Sequence, residues 1–287
     1  RQQFENRASD FGHGLPAEFY HDELIYRAEL IRIWQRGWLF AGHTCQIPEP
    51  GDYFTLEIGS DPLVVVRDDE GTVHAMHNVC RHRGTVLCTS ESGHIGRFIC
   101  PYHQWTYDYD GKLVGVPFRR GVKGRGGMPK DFKLSDYNLS ALQVAEINGV
   151  IFASYHPDPP SIDTYLGEEM RHYFTRVFDG RPLRIIGYHR QMIDCNWKLQ
   201  MENLKDPYHA GLLHLFLVTF GLFRLDQKSE TVLNEKGGHA ALLSRRTPPE
   251  EHTGNDEIAS YTPDSVSYTH LRAHETRHDL VCRLLLE

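Results

Sequence analysis

The spacing of apolar residues separates a helical start from a β-rich middle. Apolar residues recur at helical intervals between Leu24 and Trp34, and Asp22 just before them is a suitable N-cap, so an amphipathic helix is predicted over about 22–36. From residue 53 to about 154 the chain reads as short β-rich runs, namely YFTLEI, PLVVVR, TVHAMH, RFIC, KLVG, LQVAEI and VIFAS. Glycine, proline and aspartate divide these runs. A small antiparallel β domain is therefore expected in the middle of the chain.

The last part of the chain returns to a mixed pattern. The prolines of YHPDPPSIDTYLG, residues 155–167, cannot continue a strand ladder and indicate a domain boundary. Beyond it, the sequence predicts a helix over about 163–176, a long strand in PLRIIGYHRQMID (182–194) and a helix in WKLQMENLK (197–205). Together these elements predict an α+β fold.

Composition narrows the class of protein. Of the 287 residues, 40% are hydrophobic and 24% are charged, which is a globular profile. The net charge of −7, without a basic block, disfavours nucleic acid or an anionic membrane as the main partner. The longest apolar run, from about Ala210 to Phe223, is shorter than the roughly 20 residues that span a bilayer, so a soluble protein is expected.

Six cysteines and the lack of a charged-then-apolar leader predict a reducing cytoplasm, where thiols serve as ligands and not as disulfides. Cys45, Cys88 and Cys195 are expected to be buried core thiols.

The strongest motif lies in the β domain. Cys80-Arg-His82 is followed, after 17 residues, by Cys100-Pro-Tyr-His103. Each loop offers one thiolate and one imidazole, and two of each form the ligand set of a [2Fe–2S] cluster with one cysteine-held and one histidine-held iron. Neutral imidazoles in place of two thiolates raise the reduction potential of such a cluster.

A structural zinc site is the alternative, because two cysteines and two histidines also satisfy tetrahedral zinc. Zinc fingers of this composition usually place both cysteines on one loop and both histidines on another, whereas both loops here are mixed. The iron–sulfur interpretation is therefore favoured over a zinc-stabilised binding module.

A second candidate site lies in NLKDPYHAGLLH, residues 203–214. Asp206, His209 and His214 could supply two imidazoles and a carboxylate to a mononuclear iron(II) with open positions for dioxygen. Histidines five residues apart diverge by roughly 140° on an ideal helix, so the motif alone favours one core and one surface histidine. The iron–sulfur motif reverses this preference and favours a metal site shared by both histidines. For both imidazoles to reach one metal, the helix must be interrupted between the histidines, for example by a π-bulge.

Together with NWK at 196–198, these motifs resemble the large (α) subunits of Rieske-type aromatic-ring-hydroxylating oxygenases over about residues 10–264. The resemblance implies that the cluster ligands are Cys80, His82, Cys100 and His103. It also implies that His209 and His214 bind the mononuclear iron, and that Asp206 is a carboxylate bridging the iron-ligand histidine to His103 of a neighbouring subunit. The stretch DPYHAGLLHLFLVTFGLFRLDQK is most similar to the branch acting on aromatic acids such as salicylate, anthranilate or terephthalate.

The family implies a trimer, either a homotrimer or an α3β3 assembly with a small subunit, because each cluster serves the iron of a neighbouring subunit. Electrons come from NADH through a reductase, sometimes with a ferredoxin, and dioxygen is used to hydroxylate the aromatic ring. The alternative function is a Rieske electron-transfer protein without oxygenase activity, which would need neither the second domain nor Asp206, His209 and His214.

The resemblance also implies a domain organisation. It consists of an N-terminal helical segment of the catalytic domain (1–39), a Rieske [2Fe–2S] domain (40–155), and the first part of a helix-grip catalytic domain with an antiparallel sheet (156–264). The third iron ligand of the family is an aspartate far downstream. We therefore expect a C-terminally truncated chain that lacks this ligand and is inactive as it stands.

The final segment, VSYTHLRAHETRHDLVCRLLLE (266–287), reads as translated sequencing adapter. We expect it to be non-native, although His270, His274 and His278 recur in it at helical spacing.

Overall fold

A computed structural model describes residues 15–188, 191–206, 228–234 and 238–245, and the single positions 209, 213, 214, 216, 219 and 220. The chain forms two compact units. One comprises Glu29–Tyr165 with Phe178–Ile185, and the other comprises the described residues up to Ala28, those in Leu166–Val177 and those from Ile186 onward. The tail predicted to be non-native lies outside the described residues. The predicted limits of the Rieske domain, 40–155, fall inside the first unit.

The first unit is built from antiparallel strands. In chain order they are β1 (Leu39–His43), β2 (Asp52–Ile58), β3 (Asp61–Arg67), β4 (Val73–His77), β5 (Ser92–His94), β6 (Phe98–Ile99), β7 (Thr106–Tyr107), β8 (Leu113–Gly115), β9 (Ala141–Ile147) and β10 (Val150–Ser154). One seven-stranded sheet has the order β1-β10-β9-β4-β3-β2-β5, and β6, β7 and β8 form a second sheet in sequence order. The predicted antiparallel β domain is confirmed. Strands β1, β5 and β7 were not predicted. Strands β5 and β7 have three and two residues, too few to show alternation, and β1 contains a glycine, which is uncommon in strands.

The large sheet is covered on both faces, as strand β3 shows. Its residues 63–66 are all fully buried, but Leu63 and Val65 join one hydrophobic cluster while Val64 and Val66 join another. Successive side chains of a strand point to opposite faces, so an uninterrupted apolar run is what a doubly covered strand requires. The cluster around Val64 and Val66 also contains both motif cysteines, Cys80 and Cys100.

The helices are short. They are α1 (Glu18–His21), α2 (Glu23–Glu29), which continues into a π-helical turn (Leu30–Trp34), α3 (Ile162–Val177) and α4 (Trp197–Lys205). The carboxylate of Asp22 accepts hydrogen bonds from the amides of Leu24 (2.7 Å) and Ile25 (3.2 Å), which confirms the predicted N-cap. The predicted helix over 22–36 is therefore correct in position, but its last turns are π-helical.

Helix α3 confirms the prediction over 163–176 with one correction, since Gly167 has φ 76° and ψ 163° and breaks the helix. Helix α4 has the predicted bounds. It begins where the side-chain oxygen of Asn196 accepts a hydrogen bond from the amide of Lys198 at 3.1 Å. After it come the paired antiparallel strands β11 (Lys228–Leu233) and β12 (Ala240–Arg245).

The strand predicted over 182–194 is wrong, since the described residues of that stretch form no strand. Apolar alternation stabilises a strand only where a neighbour accepts its backbone hydrogen bonds, and here Ile186 and Met192 are 89% and 92% exposed. Cys195 follows this stretch and is exposed, which corrects its predicted burial, whereas Cys88 is buried as predicted and Cys45 is half-buried. Within the described part of the chain, no helix is both long and apolar enough to cross a membrane.

Candidate metal centres

The first candidate loop follows strand β4 and closes on Cys80. The amide of Cys80 donates to the carbonyl of Thr85 (2.8 Å), and the carbonyl of Cys80 accepts from the amide of Gly84 (2.9 Å). Gly84 has φ 72°, a left-handed conformation that glycine adopts without strain. These two backbone hydrogen bonds make a tight turn that holds the Cys80 thiol inside the core, where the residue is 2% exposed.

The second loop, between β6 and β7, has the same pattern of backbone hydrogen bonds as the first loop. The amide of Cys100 donates to the carbonyl of Trp105 (2.9 Å), and the carbonyl of Cys100 accepts from the amide of Gln104 (2.9 Å). Gln104 has φ 56° and occupies the position that glycine holds in the first loop. A non-glycine residue in this conformation costs roughly 1–2 kcal/mol. The two loops are therefore near-equivalent turns, each with its cysteine at the first position.

The loops bring like ligands together, one from each loop. The rings of His82 and His103 lie with centroids 4.6 Å apart, and the buried Nδ1 atoms of both rings have no hydrogen-bond partner among the described residues. A buried polar nitrogen without a partner is costly, so it signals a missing ligand at that atom. The thiols of Cys80 and Cys100 are also in contact. One pair of neighbouring thiols and one pair of unpaired imidazole nitrogens fit the cysteine-held and histidine-held irons of a Rieske [2Fe–2S] cluster.

Protonation in the protein without metal follows from burial. Burial lowers the pKa of His82, and the neighbouring His103 and Arg83 lower it further, which favours the neutral imidazole that binds metal. Burial raises the pKa of Cys80 and contact with Cys100 raises it further, whereas the hydrogen bond with Tyr107 lowers it.

Two aromatic residues behind the cluster loops were not predicted from the sequence. The hydroxyl of Tyr107 lies 3.3 Å from the sulfur of Cys80 and accepts a hydrogen bond from the amide of Arg81 (3.1 Å). The ring of Trp105 stacks on His82 with centroids 4.7 Å apart and an angle of 10°. Both residues are buried. The signal was the alternating Trp-Thr-Tyr that follows the second motif, because side chains two residues apart in extended chain point to the same side.

The second candidate site lies just after helix α4. The helix ends at Lys205, and Asp206 has an extended backbone (φ −94°, ψ 104°). The rings of His209 and His214 lie with centroids 5.1 Å apart at 74°. Between the two histidines the structure describes Leu213, which is helical and whose amide donates to the carbonyl of His209 at 2.7 Å, whereas His214 itself is outside helical structure. The interruption of the helix between the histidines therefore stays a prediction.

Asp206 is placed to interact with the first of these histidines. Its Oδ2 lies 3.4 Å from Nδ1 of His209, too poorly aligned for a hydrogen bond, and this Nδ1 is buried. Histidines that bind metal through one nitrogen commonly direct the other toward a carboxylate. In the described part of the chain, no three His, Cys, Asp or Glu side chains gather as a single-metal site would require. The site as described thus offers two imidazoles that could hold iron and a carboxylate beside one of them.

Two family models match the chain. The Rieske [2Fe–2S] domain matches residues 37–125, and the ring-hydroxylating alpha subunit (catalytic domain) matches residues 166–285. The chain belongs to the Rieske ring-hydroxylating oxygenase α subunits. The match to the catalytic domain favours an oxygenase over a pure electron carrier. That match also runs through the segment predicted to be adapter, so the non-native origin of 266–287 stays a prediction.

Named relatives agree with the family. The chain is 47% identical over 251 residues to the large oxygenase component of salicylate 5-hydroxylase from Ralstonia sp, covering 86% of this chain and 59% of that protein. It is 38% identical over 259 residues to the large subunit of anthranilate 1,2-dioxygenase from Burkholderia cepacia, covering 90% and 60%. The chain thus spans about 60% of the length of these relatives.

The fold agrees as well. The crystal structure of naphthalene 1,2-dioxygenase from Rhodococcus sp. bound to indole matches with a TM-score of 0.67 and 36% identity, over 78% of this chain and 50% of that one. The expected α+β class, a Rieske domain followed by a catalytic domain with helices and antiparallel sheet, is confirmed. Membership of this Rieske oxygenase family implies a [2Fe–2S] cluster and a mononuclear iron.

Proposed function

We propose that the chain belongs to a terminal oxygenase that hydroxylates an aromatic ring bearing a carboxylate, using dioxygen and electrons from NADH delivered through a reductase or ferredoxin. One observation carries the proposal. The buried, unpaired Nδ1 atoms of His82 and His103 occur in the same chain as the converging imidazoles of His209 and His214. An electron carrier needs only the first pair of histidines, whereas an oxygenase needs both pairs.

The cluster residues take distinct roles in this proposal. The thiolates of Cys80 and Cys100 would hold one iron, and the Nδ1 atoms of His82 and His103 would hold the other. The bound cluster would supply one-electron transfer. The Tyr107 hydroxyl donates to the sulfur of Cys80, because burial raises the pKa of Tyr107 and keeps the phenol protonated.

At the second site, His209 and His214 would hold the mononuclear iron, which would supply the activation of dioxygen. Asp206, whose Oδ2 lies 3.4 Å from Nδ1 of His209, would accept the proton of that nitrogen after a small realignment and so would leave Nε2 for the metal. Within the assembly, Asp206 also bridges to His103 of the partner subunit, which provides a connection between the two centres.

Assembly, compartment and substrate follow from the same family. A trimer, with or without a small subunit, lets each cluster serve the neighbouring iron, and a reducing cytoplasm supplies NADH and keeps the ligand thiols reduced. The names of the two relatives point to salicylate- or anthranilate-like aromatic acids as the substrate class.

The test uses the protein expressed from the untruncated gene, with reductase, NADH, ¹⁸O₂ and a panel of aromatic acids. We expect labelled hydroxylated product from the wild type, and none from His209→Ala or His214→Ala variants that keep the cluster signal. A cluster that is reduced and reoxidised with no product from any acid would identify an electron carrier and refute the proposal.

A further inference from the structure

The segment from Phe118 to Lys133, which we call the basic loop, has a charge opposite to that of the whole chain. It contains six basic residues and one acidic residue in a chain whose net charge is −7. The basic residues, all exposed, are Arg119, Arg120, Lys123, Arg125, Lys130 and Lys133. Glycine and apolar residues separate them, so the sequence shows no continuous basic block. The positive charge is therefore a local property of this loop.

The basic loop is closed by its own backbone. Val122 and Arg125 pair as a β-bridge, with the amide of Val122 donating to the carbonyl of Arg125 at 3.0 Å. The amide of Met128 donates to the carbonyl of Arg119 at 3.0 Å. Gly121 has φ 77°, and a Cβ there would lie 2.4 Å from the carbonyl oxygen of Arg125, so the turn requires glycine. Such a preformed surface loses little conformational entropy when a partner binds.

The inner side of the basic loop packs on the cluster site. Met128 and Phe132 pack against the core that contains both cysteines of the cluster motif. The ring of Phe132 lies edge-on to Trp105 with centroids 6.1 Å apart, and Trp105 stacks on His82. The exposed cations therefore belong to the same loop as Phe132, which contacts Trp105, and Trp105 in turn contacts the candidate cluster ligand His82.

The outer side combines charge with apolar surface. Phe118 is 75% exposed and Val122 is 56% exposed, and both alternate with the cations. None of the six cations forms an ion pair with a residue in the described ranges. Exposed apolar residues surrounded by unneutralised charge of one sign are typical of a surface that recruits an oppositely charged partner.

We propose that the basic loop docks a small acidic electron-transfer protein that reduces the cluster. A reduced [2Fe–2S] ferredoxin gives one electron to the oxidised cluster and is itself oxidised by one electron, with no bond made or broken. A second copy of this chain is the other possible occupant, and the sedimentation measurement below distinguishes it from the ferredoxin. The proposal rests on the proposed function, since it assumes a cluster to be reduced.

The test compares two triple variants with equal changes of net charge. The loop variant is Arg119→Glu/Arg120→Glu/Lys123→Glu, and the control places Arg32→Glu/Arg36→Glu/Arg176→Glu on exposed positions of other elements. The probe is a plant-type [2Fe–2S] ferredoxin of negative net charge. Stopped-flow absorbance gives the rate constant for reduction of the cluster, and fluorescence anisotropy of labelled ferredoxin gives binding.

At low salt, the loop variant should lose on the order of 10- to 100-fold in the rate constant and bind correspondingly more weakly. The control should lose far less, high salt should abolish the difference, and dithionite should reduce all three proteins at equal rates. Equal losses in both variants, or no loss, would overturn the proposal. So would a loop variant whose sedimentation mass falls while its rate is unchanged, since the loop would then be a contact between copies.

Binding measured by anisotropy does not require the cluster. A chain that binds ferredoxin through the loop but holds no iron would refute the proposed function and not the docking surface. A chain that holds the cluster but shows no loop-dependent binding would refute the docking surface and not the proposed function.

Discussion

The hydrogen bond between Tyr107 and Cys80 should raise the reduction potential of the cluster. Tyr107 is fully buried, and its hydroxyl lies 3.3 Å from the Cys80 sulfur. Reduction adds negative charge to the cluster, and a hydrogen-bond donor stabilises a more negative sulfur more strongly. Removal of the hydroxyl in Tyr107→Phe should therefore destabilise the reduced form relative to the oxidised form and lower the potential.

The size of the effect follows from the strength of one buried hydrogen bond. A typical contribution is about 0.5–1.5 kcal/mol. For a one-electron couple, 59 mV corresponds to about 1.4 kcal/mol, so the potential should fall by roughly 20–60 mV. The same variant leaves the amide of Arg81 without its partner at 3.1 Å, so stability should also fall by about 1–3 kcal/mol.

Protein-film voltammetry of the cluster-loaded chain measures the potential directly. Tyr109→Phe is a matched control, because its hydroxyl donates to the carbonyl of Ile95 at 2.8 Å and not to a cluster ligand. The control should change the potential by less than the Tyr107 variant does. An unchanged or higher potential in a folded Tyr107→Phe protein would refute the role of this hydroxyl.

Three further predictions test other parts of the account. His82→Cys should lower the cluster potential by adding thiolate charge, measured by the same voltammetry, and a higher potential would contradict the ligand assignment. Asp206→Asn in the full-length enzyme should leave the cluster reducible but lower product formation at least about tenfold. Wild-type turnover by this variant would show that Asp206 only ends the helix. Gln104→Gly should raise the free energy of unfolding by up to about 1 kcal/mol in urea titrations, whereas Gly84→Ala should lower it; equal effects would contradict the left-handed geometry of both positions.

The sequence indicated which side chains come together at the first candidate site. Cys80, His82, Cys100 and His103 were singled out as candidate ligands because thiol and imidazole groups at close spacing on two loops have few other uses, and the structure brings the two histidines and the two cysteines together. Strands β2, β3 and β4 could be recognised because each is a run of β-rich residues long enough to stand out between turn residues.

Other features depend on contacts that a linear pattern does not contain. The strand expected over 182–194 failed because alternation says nothing about whether a neighbouring strand is present. Tyr107 and Trp105 were missed because Cys80 and His82, which they contact, lie more than 20 residues earlier in the chain, on the other loop. The approach of the His209 and His214 rings to 5.1 Å was not evident from their five-residue spacing, because an ideal helix would turn the two side chains apart.

Electron paramagnetic resonance of the anaerobically purified and chemically reduced chain, combined with iron, sulfide and zinc analysis, tests the central claim most directly. Mixed histidine and cysteine ligation predicts iron and sulfide in the proportions of a [2Fe–2S] cluster and a signal of low average g-value. That signal should be lost in both Cys80→Ser and His103→Ala, because each removes a ligand from a different half of the cluster. Stoichiometric zinc without iron, and no such signal, would contradict the account.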